Sequence, residues 1–402
     1  MTVPLPLEQA QARLLALAAP LATERLPVTE ALGRYLAEPL TARRTQPAAA
    51  MSAMDGYAVR GADVPGPWSI VGESAAGHPF GGVVRAGQAV RIATGALVPP
   101  GADTVLIQEN CECDGARLIL IAAAASTSAP GQHIRRAGND FSHGQTLLAA
   151  GTRLGPAQLG LALTAGHRLL AVHRRPRVTI IDSGDELSAD PEACAAHQIP
   201  ASNGVMLAAL VAGLPAQVTH GPPVPDQLAA LVAAFDAAAG ADVIVTSGGA
   251  SVGDHDLLRP ALAQWGAQVD FWRVAIKPGK PLLVARKGST LVLGLPGNPV
   301  SSMVTAQLFL LPLLRTLLGA AAPLPRPITL MLAGDLPAGG DRREFLRGQA
   351  SGSAVRAVSQ QDSGAIAALA ASNCLIDRPA HAAPLGAGSA VSVYLLENGG
   401  IA

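Results

Sequence analysis

The stretch Leu291-Val-Leu-Gly-Leu-Pro-Gly-Asn-Pro-Val-Ser-Ser302 predicts a strand, a tight turn and the start of a long helix. Pro299 suits the first helical position, where a missing N–H has no cost, and Asn298 is a favourable N-cap residue. Free N–H groups at such a helix start favour an anion. Because Lys277 and Lys280 lie shortly before this stretch, we expect a site for a phosphate-sized anion.

The composition limits the class of protein. A chain of 402 residues exceeds one ordinary core and predicts about two to four domains. Aromatic residues make up only 3%, which argues against stacking platforms for single-stranded nucleic acid. The 29 basic residues balance the 29 acidic ones, so no basic field favours nucleic acid or an anionic membrane. Any preference for an anion must therefore be local.

The remaining bulk features favour a reduced, cytoplasmic protein. The N-terminus has no basic segment followed by an apolar core, so we expect no signal peptide. The apolar segment 300–318 contains polar residues and Arg315, which favours a buried helix over a membrane span. The spacing of the cysteines fits neither a disulfide framework nor a zinc site. These cysteines are Cys111, Cys113, Cys194 and Cys374.

The order of the predicted elements indicates a multidomain protein. Residues 7–19 and 29–37 have helical patterns, and short alternating runs at 68–71, 89–93, 104–108 and 117–121 predict strands. From residue 177 strands and helices alternate, which predicts a three-layer α/β domain with a mostly parallel sheet. We predict an N-terminal mixed domain (1–44 plus 146–174), a β-rich domain (45–145), the α/β domain (175–320) and a C-terminal β-barrel-like domain (321–402).

Two turns of the α/β domain have the chemistry of an anion site. In Val243-Ile-Val-Thr-Ser-Gly-Gly-Ala-Ser-Val-Gly-Asp-His-Asp256 a buried strand ends in two glycines, which allow successive N–H groups to face an anion. The alternative is a plain glycine-rich turn; Ser247, Ser251 and Asp256 favour function. The loop Lys277-Pro-Gly-Lys-Pro281 would fix two point charges, whereas the alternative is two solvated surface lysines.

Three further turns have less specific patterns. Asp185 and Glu186 follow Gly184 and could hold Mg²⁺ beside a phosphate; an acidic helix start explains them equally well. Asp55-Gly56 is typical of a hairpin turn. Turns are also predicted at Thr94-Gly95 and Gly138-Asn-Asp140.

Taken together, these motifs resemble the MoeA family of molybdopterin molybdenumtransferases, which is related to the E domains of gephyrin and plant Cnx1. The matching stretches occur in the family's order along nearly the whole chain. They are Ser52-Ala-Met-Asp-Gly-Tyr-Ala58, Arg91-Ile-Ala-Thr-Gly-Ala96, Thr246-Ser-Gly-Gly-Ala-Ser-Val-Gly253 with Asp256, Ile276-Lys-Pro-Gly-Lys-Pro281, Gly294-Leu-Pro-Gly-Asn-Pro-Val-Ser301 and Arg343-Glu-Phe-Leu-Arg-Gly348.

The resemblance implies an elongated homodimer of four-domain subunits, with the β-rich domain as a lid over the α/β domain of the other subunit. It implies that molybdate and adenylylated molybdopterin are substrates, that a molybdopterin adenylyltransferase supplies the latter, that AMP is released and that Mg²⁺ assists. The site residues it implies fall into four groups. They are Asp55, Thr94 and Asp140 on the lid; Lys277 and Lys280 for molybdate or phosphate; Ser247, Gly248, Gly249, Ser251, Pro296, Asn298 and Ser301 around the pterin phosphate; and Glu186 and Asp256 for the metal.

The chain departs from the family pattern at several positions. Asp182 stands where the family usually has Ser, which adds a negative charge near an anion site, and Arg273 replaces a usual Lys. Ala201 and Pro225 stand where the family usually has Asp, so two carboxylates are lost. A non-catalytic molybdopterin-binding or scaffold paralogue is therefore the alternative to the enzyme. A relative acting on another nucleotide is a third hypothesis, against which the lid motif around Asp55 argues.

Overall fold

The computed structural model describes residues 4–121, 129–249 and 257–396. These residues form three six-stranded sheets, several two-stranded ribbons and a set of mostly short helices. Several short elements lie outside the three large sheets. They include the helices Pro156–Thr164 and Ile366–Ala370 and the 3₁₀ turns Gly61–Asp63 and Gln108–Asn110. Two strand pairs are also short, Met51–Ser52 with Ile134–Arg135 and Leu187–Ser188 with Ile199–Pro200.

The predicted α/β domain is confirmed as a three-layer arrangement around a mostly parallel sheet. Only Leu283–Lys287 runs opposite to the other five strands. The order is Gln217–His220, Arg177–Asp182, Val243–Ser247, Thr290–Leu295, Leu283–Lys287 and Gln268–Trp272. Val243 and Val245 pack on one face of the sheet and Ile244 on the other. Both faces are therefore covered, which explains the continuous apolar runs.

Helices cover the two faces of this sheet unequally. One face packs against Leu7–Ala16, Ser202–Ala212 and the long helix Pro299–Leu317, and it forms the largest core of the protein. The other face packs against Leu228–Ala237 and Leu258–Trp265. The N-terminal helix thus shares a core with the α/β domain.

The long helix is a buried core element. Its length and apolarity alone would suffice for a membrane span, but 89% of its apolar window is buried inside the protein. It runs as an α-helix over Pro299–Thr305, a π-helical turn over Ala306–Leu310 and an α-helix over Leu311–Leu317. The carbonyl of Leu308 in the π-helical turn accepts a hydrogen bond from Gln11 Nε2 at 2.8 Å.

Two stretches far apart in sequence meet in the N-terminal part. Thr23–Pro27 pairs with Leu169–His173, and Leu40–Thr41 pairs with Thr146–Leu148. The helix predicted over 29–37 is wrong. A single 3₁₀ turn, Val28–Glu30, ends before Gly33, whose φ of +76° leaves the helical region, and the next residues bridge to the neighbouring strands.

The β-rich and C-terminal parts are each built on one sheet. The first has the order Thr104–Ile107, Gly56–Val59, Gln88–Ile92, Trp68–Ser74, Arg117–Leu120 and Cys111–Asp114, which confirms the four predicted strands and adds two. The C-terminal sheet closes into a barrel, as predicted, because its last strand pairs with its first. The five strands have the order Arg343–Ser351, Ala354–Ala357, Ile328–Leu332, Ala390–Leu395 and Cys374–Arg378. Ile276–Lys277 joins this barrel as an edge strand.

Candidate functional site

Three of the predicted motifs begin at one edge of the α/β sheet. The strand ends Asp182, Ser247 and Leu295 are directly paired in register across neighbouring parallel strands. The turns that follow them therefore start at the same level, at the carboxyl edge where ligands bind in such sheets. The structure thus brings together the acidic turn, the Gly-Gly turn and the Pro-Gly-Asn-Pro turn.

The Gly-Gly turn has a backbone that only glycine adopts readily. Gly248 has a φ of +100° and Gly249 a φ of +64°. A Cβ atom on Gly248 would overlap the carbonyl oxygen of Ser183, and the Gly248 N–H donates to the carbonyl of Leu295 at 3.3 Å. The glycines are therefore required by close approach as well as by dihedral angle. Ser251 and Asp256 lie outside the described residues.

Asn203 links the Gly-Gly turn to the Pro-Gly-Asn-Pro turn. Its Nδ2 donates to Ser247 Oγ at 2.9 Å and to the carbonyl of Gly297 at 2.6 Å. Its Oδ1 is buried and has no hydrogen-bond partner within the described part of the chain. The two turns are consequently held at a fixed separation by one side chain.

The start of the long helix differs from the sequence prediction. Asn298 occupies the N-cap position, but its side chain makes no capping bond and its Nδ2 instead donates to Ser363 Oγ at 2.8 Å. The Val300 N–H donates to the carbonyl of Ser363 at 3.1 Å. One of the N–H groups expected to face an anion is therefore used by the barrel, because Ser363 approaches the helix start.

A buried arginine of the barrel holds the segment that carries Ser363. Arg347 is 1% exposed, and its Nη2 donates to the carbonyls of Gln360 at 2.6 Å and Asp362 at 3.0 Å. Burial lowers the pKa of this guanidinium from its ordinary value, and the nearby Asp362 opposes that effect. Arg347 thus fixes the segment whose Ser363 binds Asn298 at the helix start, close in sequence to Pro296 and the buried Ser301.

The lysine loop is fixed against both the helix and the barrel. A Cβ atom on Gly279 would lie 2.6 Å from Thr305 Cγ2, so the loop touches the long helix. Lys277 Nζ forms an ion pair with Glu344 Oε1 at 2.9 Å while its side chain remains 57% exposed. Lys280 is exposed. One of the two cations therefore has a carboxylate partner in the folded chain, and the position of its charge is defined.

These lysines stand out against the composition of the chain. Among its 29 basic residues only three are lysines, and two of these belong to one four-residue loop. Lysine is a compact point charge, whereas arginine presents a planar fork. In a chain that otherwise uses arginine, the lysines at 277 and 280 indicate a requirement for a compact charge. The third, Lys287, lies over the Trp265 ring, 4.1 Å from its centroid.

The Asp182 carboxylate, which we expect to add negative charge near the anion site, has partners within the fold. Asp182 is 1% exposed, and its Oδ2 accepts the N–H of Gly204 at 2.9 Å and lies 3.1 Å from His220 Nε2. Gly204 is in the first turn of the helix Ser202–Ala212, whose N-cap residue Ala201 has no acceptor on its side chain. The carboxylate therefore caps that helix from the neighbouring strand, in a buried position.

The acidic turn beyond Asp182 has its own hydrogen bonds. Ser183 Oγ donates to Asp226 Oδ1 at 2.9 Å, and the Asp226 N–H donates to Asp185 Oδ1 at 3.0 Å. Glu186 is exposed, with its carboxylate folded over Gly184. Within 4–121, 129–249 and 257–396 no group of three or more His, Cys, Asp or Glu side chains could hold a metal alone. Any metal here would need further ligands from substrate, water or Asp256.

The lid motif forms a turn, and the hairpin predicted at Asp55-Gly56 is wrong. Asp55 Oδ1 accepts the Thr94 N–H at 2.7 Å, which brings two predicted site residues together. The strand Gly56–Val59 pairs with Gln88–Ile92 and Thr104–Ile107 instead of folding back on Met51–Ser52. A Cβ atom on Gly56 would overlap the carbonyl of Leu106, so the glycine serves a close strand approach.

The third lid residue lies in a separate turn. The Asp140 N–H donates to the carbonyl of Gln46 at 3.0 Å, and its side chain is exposed. In the described part of the chain no hydrogen bond or ion pair joins Asp55, Thr94 or Asp140 to the α/β domain of the same subunit. The lid residues therefore face solvent in one isolated subunit.

Some residues of the site were not identified from the sequence. Asn203 lies two residues after Ala201, where the family usually has Asp, and Glu344 and Arg347 lie in the family stretch 343–348. Their closeness to these motifs was the one feature of the sequence that could have identified them as site residues. Ser363 had no such signal, because its segment has no recognisable pattern, and the strand pattern before His220 does not indicate a contact with Asp182.

Comparisons with known proteins agree with this architecture. The chain matches three family models, described as MoeA N-terminal region (domain I and II) over residues 5–166, probable molybdopterin binding domain over 179–316 and MoeA C-terminal region (domain IV) over 329–396. A protein from Haemophilus influenzae named molybdopterin molybdenumtransferase is 34% identical, over 97% of this chain and 98% of its own.

Another named relative and a solved structure match the chain over nearly its whole length. A Bacillus subtilis protein of the same name is 31% identical over 98% of this chain and 95% of its own. The solved structure of molybdopterin biosynthesis moeA protein from Pyrococcus horikoshii OT3 superposes with a TM-score of 0.85 at 26% identity, covering 98% of this chain and all of that one. The chain therefore belongs to the MoeA family.

Proposed function

We propose that this chain inserts molybdenum from molybdate into adenylylated molybdopterin and releases AMP. Membership of the family makes it a transferase of molybdenum cofactor biosynthesis. The observation that carries the proposal is one edge of the sheet. The Gly-Gly turn and the helix start follow strands that end there, and the lysine loop leads into Leu283, which pairs with Gly294 at the same edge. Phosphate, phosphoanhydride and molybdate are all anions, so this edge suits each reacting group.

The residues divide the work according to their chemistry. The Gly-Gly turn holds the terminal phosphate of molybdopterin through the Ser247 hydroxyl and the Gly249 N–H, because the Gly248 N–H already donates to Leu295, and Pro296 and Ser301 lie in the neighbouring turn and helix start. Lys277 and Lys280 hold molybdate or the phosphoanhydride as point charges. Cleavage of the adenylyl–phosphate link depends on neutralising the negative charge of the phosphates. Fixed cations provide this neutralisation, so no covalent nucleophile is needed.

Mg²⁺ is part of the proposal and fits the acidic turn. Magnesium in phosphate sites keeps several waters and takes only one or two carboxylates, so a cluster of three protein ligands is not required. The exposed carboxylate of Glu186 lies at the edge of the sheet, next to Gly184. Glu186 together with Asp256 would hold the ion, which when bound neutralises phosphate charge.

A homodimer completes the site in this proposal. Asp55, Thr94 and Asp140 are exposed and make no polar contact with the described residues of the α/β domain in the same chain. The lid of one subunit would therefore cover the sheet edge of the other. A molybdopterin adenylyltransferase would deliver the substrate in the cytoplasm, since the product of that adenylylation is the molecule consumed here.

Purified protein with adenylyl-molybdopterin, molybdate and Mg²⁺ tests the proposal directly. We expect AMP release that depends on molybdate. Lys277→Ala and Lys280→Ala should each reduce it at least tenfold, whereas Lys287→Ala, the remaining lysine, should leave it unchanged. AMP release that is absent, or independent of molybdate, would exclude the transferase and leave a binding or scaffold protein.

The lysines also allow a test by chemical protection. Amine acetylation followed by mass spectrometry reports on Lys277, Lys280 and Lys287 in one sample. Molybdate should slow the modification of the first two and leave Lys287 as an internal control. Equal protection of all three lysines would show that molybdate acts on the whole protein and does not bind at the loop.

A further inference from the structure

A cavity lies where four parts of the chain meet, away from the carboxyl edge of the sheet. Its volume is about 360 Å³. Leu210 and Leu214 of its wall lie at the C-terminal end of the helix Ser202–Ala212, whose N-terminal end carries Asn203. A helix of this length spans roughly 16 Å, so the cavity is separate from the anion site described above.

Three arginines give this cavity an uncompensated positive charge. Arg153, Arg315 and Arg326 line it, and none of its described lining residues is Asp or Glu. Arg315 Nη1 donates to the carbonyl of Pro323 at 3.3 Å. No ion pair of the described residues involves any of the three, although guanidinium groups in a shared cavity repel one another. Arg153 and Arg326 are exposed and Arg315 is partly buried, so an anion that enters the cavity meets three guanidinium groups that have no carboxylate partner among the described residues.

Three buried polar side chains line the same cavity. Tyr35, Gln307 and Tyr394 are 6%, 7% and 9% exposed, and their side chains form no hydrogen bond within the described part of the chain. Their hydroxyl and amide atoms are not fully buried, so they can take a partner that enters the cavity. Gln307 belongs to the π-helical turn of the long helix, a type of distortion that is frequent at functional sites. These side chains can accept or donate hydrogen bonds to a bound molecule.

The rest of the wall is apolar. Leu210, Leu214, Leu311 and Leu324 contribute hydrocarbon surface next to the arginines. A ligand that satisfies all three features has a doubly charged oxyanion for the guanidinium groups and a compact apolar body for the leucines. Arginine pairs with phosphate through two parallel hydrogen bonds, which favours phosphate as that oxyanion.

We propose that this cavity binds a small organic phosphate. The bound molecule contacts the N-terminal part through Tyr35 and Arg153, the long helix through Gln307 and Arg315, the linker through Arg326, and the barrel through Tyr394. Its binding therefore stabilises the arrangement of these parts relative to one another. The site is independent of the transferase reaction proposed above.

Calorimetric titration with phenyl phosphate tests the proposal on the full-length protein. The titration is carried out on Lys277→Ala/Lys280→Ala, so that anion binding at the lysine loop does not contribute. We expect saturable binding that is weakened at least tenfold by adding Arg153→Gln and Arg326→Gln. Gln307→Leu should weaken it severalfold, and inorganic phosphate should bind less tightly than phenyl phosphate. Arg85→Gln, an exposed arginine of the lid, is the matched control.

The alternative outcomes are distinct. Binding unaffected by the cavity substitutions, or absent from the lysine variant, would overturn the proposal. Circular dichroism and thermal unfolding establish that the variants are folded, and relief of repulsion predicts an unchanged or higher melting temperature without ligand. If the arginine substitutions instead change the oligomeric state in ultracentrifugation, a second copy of the chain occupies the cavity and the proposal is also overturned.

Discussion

The Asp182 carboxylate lies 2.9 Å from the backbone nitrogen of Gly204 and caps a helix that begins on another segment. We expect Asp182→Ala to lower the free energy of unfolding by about 1–3 kcal/mol, because a buried helical N–H loses its acceptor. Urea denaturation measures this change. Adding Ala201→Asp to that variant should recover much of the loss, since an N-cap carboxylate can reach the same N–H.

The same pair of substitutions has a matched control. Ala201→Asp in the otherwise unchanged chain should give no gain in stability, because Asp182 already occupies that N–H and the two carboxylates would repel each other. Equal stabilisation of both backgrounds would show that the carboxylates at 182 and 201 act independently, contrary to this interpretation.

The ion pair between Lys277 and Glu344 makes a separate prediction. Glu344→Gln removes the carboxylate that competes with a substrate anion for Lys277 Nζ, so KM for molybdate should fall by up to about fivefold. The free energy of unfolding should change by less than about 1 kcal/mol, because the lysine is largely exposed. Asp341→Asn, a neighbouring exposed carboxylate that pairs with Arg342, should leave KM unchanged. A higher KM in Glu344→Gln would mean that Glu344 positions Lys277 for binding.

The Gly-Gly turn can be tested by adding one methyl group. Gly248→Ala places a Cβ atom against the Ser183 carbonyl at a φ of +100°, and we expect a loss of about 1–3 kcal/mol in stability together with weaker binding of adenylyl-molybdopterin. Gly297→Ala is the control, since its Cβ atom would lie at an ordinary 3.5 Å from Gly248 Cα. Similar losses in both variants would argue against a specific role of the Gly248 conformation.

Mixing two inactive variants tests the proposed dimer. Asp55→Asn keeps an oxygen for the Thr94 N–H but removes the lid charge, and Lys277→Ala alters only the α/β side. If the cleft joins two subunits, each mixed dimer contains one intact cleft. A statistical mixture should then recover about a quarter of the normal rate. No recovery, with subunit exchange demonstrated by tagged chains, would place both residues in one subunit's cleft.

The barrel predicts a stability change at alkaline pH. Burial raises the pKa of the Cys374 thiol from 9.0 to about 11. The folded state therefore keeps a proton that the unfolded state releases, so this contribution is complete below pH 9 and is lost as pH rises towards 11. Cys374→Ala should flatten the decrease of the urea midpoint over that interval, whatever its effect at neutral pH. Identical slopes for both proteins would contradict the assignment.

Local patterns were sufficient for most of the fold. The apolar runs of the central sheet identify its strands because each is buried on both faces, as the alternate packing of Val243, Ile244 and Val245 shows. The barrel strands Arg343–Ser351 and Cys374–Arg378 were missed because charged residues interrupt their pattern. Asp377 accepts two hydrogen bonds from Arg343, so these charges are compensated only once the two strands are paired.

The site was predictable where a motif supplies its own geometry. The Gly-Gly turn and the lysine loop depend on local glycines, and both lie at the predicted edge. The contacts of the Asp182 and Asn298 side chains could not be predicted, because their partners, Gly204 and Ser363, come from distant segments. A carboxylate in a sequence indicates a charge, but whether that charge faces a ligand or a helix end is decided by tertiary structure.

The π-helical turn has a consequence for how the long helix can vary in length. A π-helical turn has i→i+5 hydrogen bonds and so holds one residue more than the matching α-helical turn. Removing one residue from Ala306–Leu310 would therefore restore a continuous α-helix and keep Leu311–Leu317 nearly in phase with Pro299–Thr305. A deletion within Pro299–Thr305 has no such compensation, because each α-helical residue advances by about 100° around the axis and Leu313 and Leu314 would rotate out of the core. A one-residue deletion should thus be less damaging in the π-helical turn than in the α-helical turns before it.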